Sequence, residues 1–296
     1  MKAVYDLVPF KRAIFLLLRS IWSVPSRLSR HLNFTGEFTL LIETKKIKMI
    51  HYGYLIENLL FWGGPLGSYE KISLKYWMKL CHKCNYIHDV GANTGIYALI
   101  AKGLNPDAEV VAYEPVPRVF QKLNRNIEVN HFDIRSYQVG LSDYDGVATI
   151  YDTDTDHIYS VTVNANLHDE GVNVIQKEIK VSRFDTLFEK ESFGGLDLIK
   201  IDVETHEPEV LKGIGALLGQ YRPTMFIEVL TPSVADQLME LLDGSGYLYY
   251  QIDEINEPIQ VDVICPKTDP NTKTSDSEAN YMICHSDVAN YLGLIL

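Results

Sequence analysis

The stretch IDVETHE, residues 201–207, places Asp202, Glu204, His206 and Glu207 within six residues. Carboxylates and an imidazole this close together are the groups that orient a polar substrate and move a proton. His206 is the natural general base near neutral pH, where an unperturbed imidazole titrates. Asp202 or Glu204 would take that role if desolvation raised its carboxyl. Asp202, at the end of the apolar run LDLIKIDV (196–203), is the candidate to contact a cofactor or orient an acceptor. Lys200 within that run is expected to pair with an acid. Glu207, followed by Pro208, also suits the first turn of a helix, where a carboxylate meets the positive end of the dipole.

A second cluster lies earlier, in YIHDVGANTGIYALIA (86–101). Gly91 and Gly95 free a strand-to-helix turn for a close backbone approach, and Asp89 stands near the strand's carboxyl end. Asn93 occupies the place where a dinucleotide fingerprint has its middle glycine, and no Gly-Lys-Ser/Thr follows to make a P-loop. Glu114 closes the next apolar run, 19 residues past Gly95. A carboxylate there accepts from both hydroxyls of an unphosphorylated ribose. Ribose recognition without phosphate machinery points to a nucleoside-type ligand such as S-adenosylmethionine, whose ammonium suits Asp89. Leu141–Asp143 ends a third run and is the expected adenine edge, although Asp143 also reads as a turn former in SDYDG.

These residues need strands to present them. Short apolar runs at 87–90, 108–115, 135–142, 196–203 and 223–230 alternate with helical patterns at 94–103, 118–130, 207–218 and 233–242. That alternation predicts a doubly wound α/β sheet. Residues 247–253 and 280–285 are expected to form a closing pair, and GVATIYD (146–152) and KEIKVSRF (177–184) an inserted pair. FTLLIET and IKMIHY predict a β-hairpin between amphipathic helices in an N-terminal extension, residues 1–84, ahead of a ligand-binding domain at 85–296.

DVGANTG (89–95), YEP (113–115), LSD (141–143), VSRFDTL (181–187), LIKIDVETHE (198–207) and FIEV (226–229) stand in the order and approximate spacing of the FkbM-type methyltransferases. The chain resembles that family over about residues 60–230, including FWGGPLGSYE (61–70). The resemblance implies a class I S-adenosylmethionine methyltransferase fold, Rossmann-like, with seven strands and the last antiparallel. It implies S-adenosylmethionine as cofactor, and methylation of oxygen on sugars or natural products. One position departs: the family commonly has glycine within the segment where this chain has Thr205.

Composition sets limits. A net charge of −12 argues against a general nucleic-acid binder. Residues 1–35 nevertheless carry six bases and one acid. AIFLLLRSIW (13–22) is too short to span a bilayer, and with its basic flanks residues 1–30 suit either a membrane surface or a protein partner. Four cysteines suggest reduced thiols in a cytoplasmic protein, and no metal is expected. DTDTD (152–156) lacks the glycine and glutamate of a calcium loop. Tyr159, Ser160, Asn164 and His168, beyond the inserted strand, suit a hydroxyl-rich acceptor. Glu228, ending the fifth run, divides between acceptor contact and structural pairing. Two other classes stay in view: a NAD-type oxidoreductase, against which Asn93 speaks, and a non-catalytic scaffold, against which the crowded acidic rim speaks.

Overall fold

The computed structural model describes residues 10–295 apart from 23, 25, 30, 68, 154–173 and 267–279. The chain forms two compact units, Met1–Lys71 and Ile72–Leu296.

In the first unit a two-residue turn joins β1 (Gly36–Ile42) to β2 (Lys45–His51), antiparallel, with Ile42 opposite Lys45. Glu43 opens the turn at φ 52°, the left-handed geometry that tight hairpins favour. Phe38, Leu40, Ile42, Ile47 and Met49 are buried, the two-residue period of a sheet covered on one face. Phe61 of helix Leu55–Gly63 packs there, its ring centroid 5.6 Å from that of Phe38. Helix Lys11–Ile21 adds Phe15 against Trp62.

The second unit is built on a sheet of eight strands. β3 (Tyr86–Val90), β4 (Glu109–Tyr113) and β5 (Ile134–Tyr137) run parallel side by side. β9 (Leu198–Ile201) adds to the other edge of β3, and β10 (Thr224–Glu228) to β9. β13 (Asn280–Cys284) then enters antiparallel, between β10 and β11 (Leu248–Ile252). A short strand, β12 (Ile259–Val261), extends the edge beyond β11. The order is β12-β11-β13-β10-β9-β3-β4-β5. The chain thus reverses direction across the sheet at β3 and β9, and a crevice opens outside the carboxyl ends of strands at such a switch point. All four residues of β9 are buried, as expected where helices cover both faces.

The expected alternation is present, and so is the closing antiparallel pair. Two details differ from the sequence reading. The run 135–142 is not one strand: it breaks after Tyr137, and Gly140–Ser142 becomes β6 of a separate three-stranded sheet. There β6 lies parallel to β8 (Val174–Arg183), which pairs antiparallel with β7 (Gly146–Thr153), so the inserted pair is present and has captured a third strand. The partner of β6 lies some forty residues away, outside the reach of local pattern. The helix read over 207–218 also divides, into Glu207–Ile214 and Leu217–Tyr221, at Gly215 with φ 59°.

The four cysteines are free thiols, with Cys81, Cys84 and Cys284 buried. Among the described residues no group of three or more His, Cys, Asp or Glu could hold a metal, and no helix is long and apolar enough to cross a membrane.

Candidate active site

The glycine turn leaves β3 and enters helix Ile96–Leu104 with Gly91 at φ 76°, Asn93 at 52° and Gly95 at 94°. Both glycines answer to the protein itself. A Cβ on Gly91 would lie 1.9 Å from the Asp202 carbonyl oxygen, and one on Gly95 would lie 2.5 Å from Leu123 Cδ1. The turn's amides are committed as well. Gly91 and Ala92 donate to the Tyr113 carbonyl at 3.0 and 2.9 Å, Gly95 donates to Ala92, and Asn93 donates to Glu114 Oε2 at 3.1 Å. A diphosphate cradle needs such amides pointing outward; here four of five are turned to protein acceptors.

Glu114 follows β4 and is buried. Its Oε1 accepts from Val116 N at 2.9 Å. Burial pushes the carboxyl up to about 7, against the lowering effect of its two backbone donors and of Arg118. Asn93 Oδ1 is buried without a hydrogen-bond partner beside it. Asp89 is buried too, and its Oδ2 accepts from Ala98 N at 3.0 Å, so it caps the first turn of helix Ile96–Leu104 from the adjoining strand. The sequence reading did not anticipate that duty.

Asp202 stands where β9 ends, and its backbone amide donates to Val90 O at 3.1 Å. The candidate catalytic segment and the glycine turn are therefore sewn together at the switch point. Lys200 Nζ donates to Asp202 Oδ2 at 2.5 Å, the lysine side chain 7% exposed and the aspartate 25%. The expected acid partner of Lys200 is thus its second neighbour along the strand. The Tyr97 ring lies 4.7 Å from the same ammonium, and Trp77 Nε1 donates to the Tyr97 carbonyl. These aromatics escaped the sequence reading because nothing local distinguishes them from core.

The rest of the segment divides. His206 turns to β6: its Nε2 lies 3.0 Å from Ser142 Oγ, and its Nδ1 3.4 Å from Glu209 Oε2. Burial lowers its pKa, with Glu209 and Asp143 opposing, which favours the neutral ring that can accept a proton. Leu141 is part of the hydrophobic core, Ser142 is buried, and Asp143 is exposed with its carbonyl accepting from Arg183. Glu228 ends β10 at the same rim, opposite Asn280 of β13. Tyr159, Ser160, Asn164 and His168 lie outside the described residues.

Glu207 is fully buried. Its Oε1 accepts from Val203 N at 3.1 Å and Thr205 N at 3.3 Å, while Oε2 has no partner. It clamps a bend whose two middle residues are both left-handed, Glu204 at φ 56° and Thr205 at 81°. A β-branched residue resists that region, which glycine enters freely. Thr205 therefore sits at a site of backbone strain. Thr205→Gly is expected to raise stability by about 1 kcal/mol, the relieved strain exceeding glycine's entropic cost. Chemical denaturation measures this directly; an unchanged or lower midpoint would mean that the threonine side chain supplies compensating contacts.

The strand order, with β13 inserted antiparallel between β10 and β11, is that of the class I methyltransferase fold. The sequence profile of the Methyltransferase FkbM domain matches residues 89–249, and the chain belongs to that family. It is 29% identical over 189 residues to the methyltransferase sdnD of Sordaria araneosa, covering 55% of this chain and 73% of that one. It is 31% identical to the hexuronic acid methyltransferase AglP of Haloferax volcanii, over 49% of this chain and 56% of AglP. The 31-O-demethyl-FK506 methyltransferase FkbM of Streptomyces tacrolimicus is 28% identical, over 43% of this chain and 58% of its own. The chain thus spans little more than half of the latter two. Among solved structures, a methyltransferase FkbM from Methylobacillus flagellatus KT shows 16% identity and a TM-score of 0.42, over 68% of this chain and 43% of that one.

Proposed function

We propose that this chain is an S-adenosylmethionine-dependent methyltransferase that methylates a hydroxyl on a sugar, glycan or natural-product acceptor. The observation that carries the reading is the junction of Asp202 with the glycine turn at the switch point, which brings the acids of the segment beside the turn. The name of FkbM, a 31-O-demethyl-FK506 methyltransferase, supports an oxygen acceptor, and that of AglP, a hexuronic acid methyltransferase, supports a sugar acid as acceptor class.

The residues present fit the cofactor. Glu114 would hold the ribose, the unpartnered Asn93 Oδ1 offers a further acceptor at the turn, and Leu141–Asp143 would border the adenine. When bound, the cofactor supplies an electrophilic methyl carbon on a sulfonium. Asp202, fixed by Lys200, orients the acceptor hydroxyl, and neutral His206 or Glu204 takes up its proton. The acid cluster thus provides alignment and proton removal, the two tasks an in-line displacement leaves to the protein.

Calorimetry on the full chain tests this reading. S-adenosylmethionine is expected to bind and NAD not to, because the turn amides a diphosphate needs are taken. Glu114→Ala should weaken S-adenosylmethionine binding by about 1.5–3 kcal/mol, the scale of hydrogen bonds to a charged group. Binding of NAD alone would replace the reading with an oxidoreductase; binding of neither would favour a scaffold. Mass spectrometry of candidate glycans and lipids after incubation with labelled cofactor then identifies the acceptor.

A further inference from the structure

Helix Lys11–Ile21 is docked the wrong way round for a helix of a water-soluble protein. Its arginines reach back to the protein, Arg12 while still exposed and Arg19 partly buried: Arg12 Nε donates to the Glu37 carbonyl at 2.6 Å, and Arg19 Nη1 to that of Thr39 at 3.4 Å. The Arg19 guanidinium also lies 5.0 Å from the Phe61 ring centroid, and burial lowers its pKa. Glu37 and Thr39 are alternate residues of β1, so their carbonyls share one edge of the strand, and the two arginines cover that edge. Phe15 alone of the helix is fully buried.

The apolar face points outward. Ile14, Leu17 and Ile21 fall within one narrow arc of the helix and are 43%, 63% and 72% exposed. Phe10 precedes them at 81% and Trp22 follows at 48%. Among the described residues, ten of the sixteen exposed large hydrophobics lie before Lys71, so the apolar surface is concentrated in the smaller unit. An apolar stripe in water flanked by aromatic ends needs a cover.

Charge indicates which cover. The first unit has ten basic and five acidic residues, whereas the second has 17 basic and 34 acidic. Lys45, Lys46 and Lys48 stand exposed on β2. A cationic unit carrying an outward apolar stripe complements an anionic lipid surface, which the acidic second unit would not approach. A second copy of this chain fits less well: eleven residues make a helix roughly 16 Å long, and its single stripe falls short of the ~800 Å² per partner that a stable dimer buries.

We propose that helix Lys11–Ile21 is an interfacial anchor that lies in the surface of an anionic bilayer through Phe10, Ile14, Leu17, Ile21 and Trp22. The arginines hold the helix to its own unit, so the anchor is carried as part of the fold. It would hold the protein at a membrane whatever group its catalytic unit methylates.

Flotation of the full chain with vesicles tests it. Binding is expected to vesicles of phosphatidylcholine with roughly one-third phosphatidylglycerol, with weaker binding to phosphatidylcholine alone. Affinity should fall as salt rises from about 0.1 M to about 0.5 M. Leu17→Glu with Ile21→Glu, at positions already in water, should leave circular dichroism and melting unchanged while lowering partitioning at least roughly tenfold. Absence of flotation, or flotation unaffected by the double substitution, overturns the proposal. So does sedimentation velocity showing a lipid-free dimer that the same substitutions dissociate, which would assign the stripe to a second copy.

Discussion

Asparagine at position 202 is expected to lower methyl transfer by roughly two to four orders of magnitude, the range spanned by positioned acid–base groups, with cofactor affinity changed only a fewfold. Asp202 is joined to the turn by its backbone, through the amide on Val90 O and the carbonyl against Gly91. Asparagine preserves both contacts, so the cofactor's side of the site is undisturbed. What the substitution removes is the negative charge held by Lys200 Nζ at 2.5 Å. Lys200 is almost fully buried and is left facing a neutral amide oxygen, which should cost about 1.5–3 kcal/mol of stability. Assays well below the variant's melting temperature separate that loss from catalysis. Steady-state kinetics should show the fall in kcat with KM for the cofactor nearly constant; unchanged kcat would remove Asp202 from the chemistry.

Glu207 governs the second large effect, a loss of stability towards alkaline pH. Burial raises its carboxyl from an ordinary value near 4.5 to about 8, with the nearby Asp202 acting in the same direction. A folded-state pKa above the unfolded one means the native protein binds the proton more tightly. The resulting stabilisation is complete below about 4.5 and is lost as pH rises through about 8. Glu114, raised to about 7, adds to the trend over a lower range. Buried His51 and His88, both lowered to about 4, act oppositely and cost stability as pH falls below their unperturbed 6.5. A tenfold change in proton affinity is worth about 1.4 kcal/mol, so the Glu207 contribution is on the order of several kcal/mol. Glu207→Gln keeps an acceptor for Val203 N and Thr205 N and puts a neutral amide at the unpartnered position. Denaturation midpoints from about pH 5 to about pH 9 should therefore fall less steeply in the variant than in the parent, after Glu114's shared contribution cancels. Parallel curves would show that the carboxyl is ionised throughout.

Much of this site could be read from residues alone because its signals are local. The φ preferences of Gly91 and Gly95, an apolar run ending at Glu114, and acids closing LIKIDV each depend on a few neighbours in sequence. The same holds for the pairing of Lys200 with an acid two positions on. Thr205 is only partly legible in this way: a β-branched residue restricts the backbone, but that it stands at φ 81° comes only from the fold.

Other features depend on which strands become neighbours. IDVETHE looks like one cluster in sequence, yet Asp202 joins β3 and Lys200, Glu207 turns inward to clamp the bend, and His206 joins Ser142, 64 residues away. Ser142 reaches His206 because β6 leaves the main sheet to pair with β8. Gly91 likewise seemed to make room for a ligand, whereas the atom occupying its missing Cβ is the Asp202 carbonyl. The sequence by itself determined the doubly wound alternation, the glycine turn and the candidate acids, since periodicity and backbone preference are written within one turn or one strand. Only the tertiary structure decided which acid meets which base, which glycine answers to protein, and that helix Lys11–Ile21 ties its arginines to β1 carbonyls and shows its apolar face. Those outcomes follow from packing between segments far apart in the chain, and no local pattern encodes them.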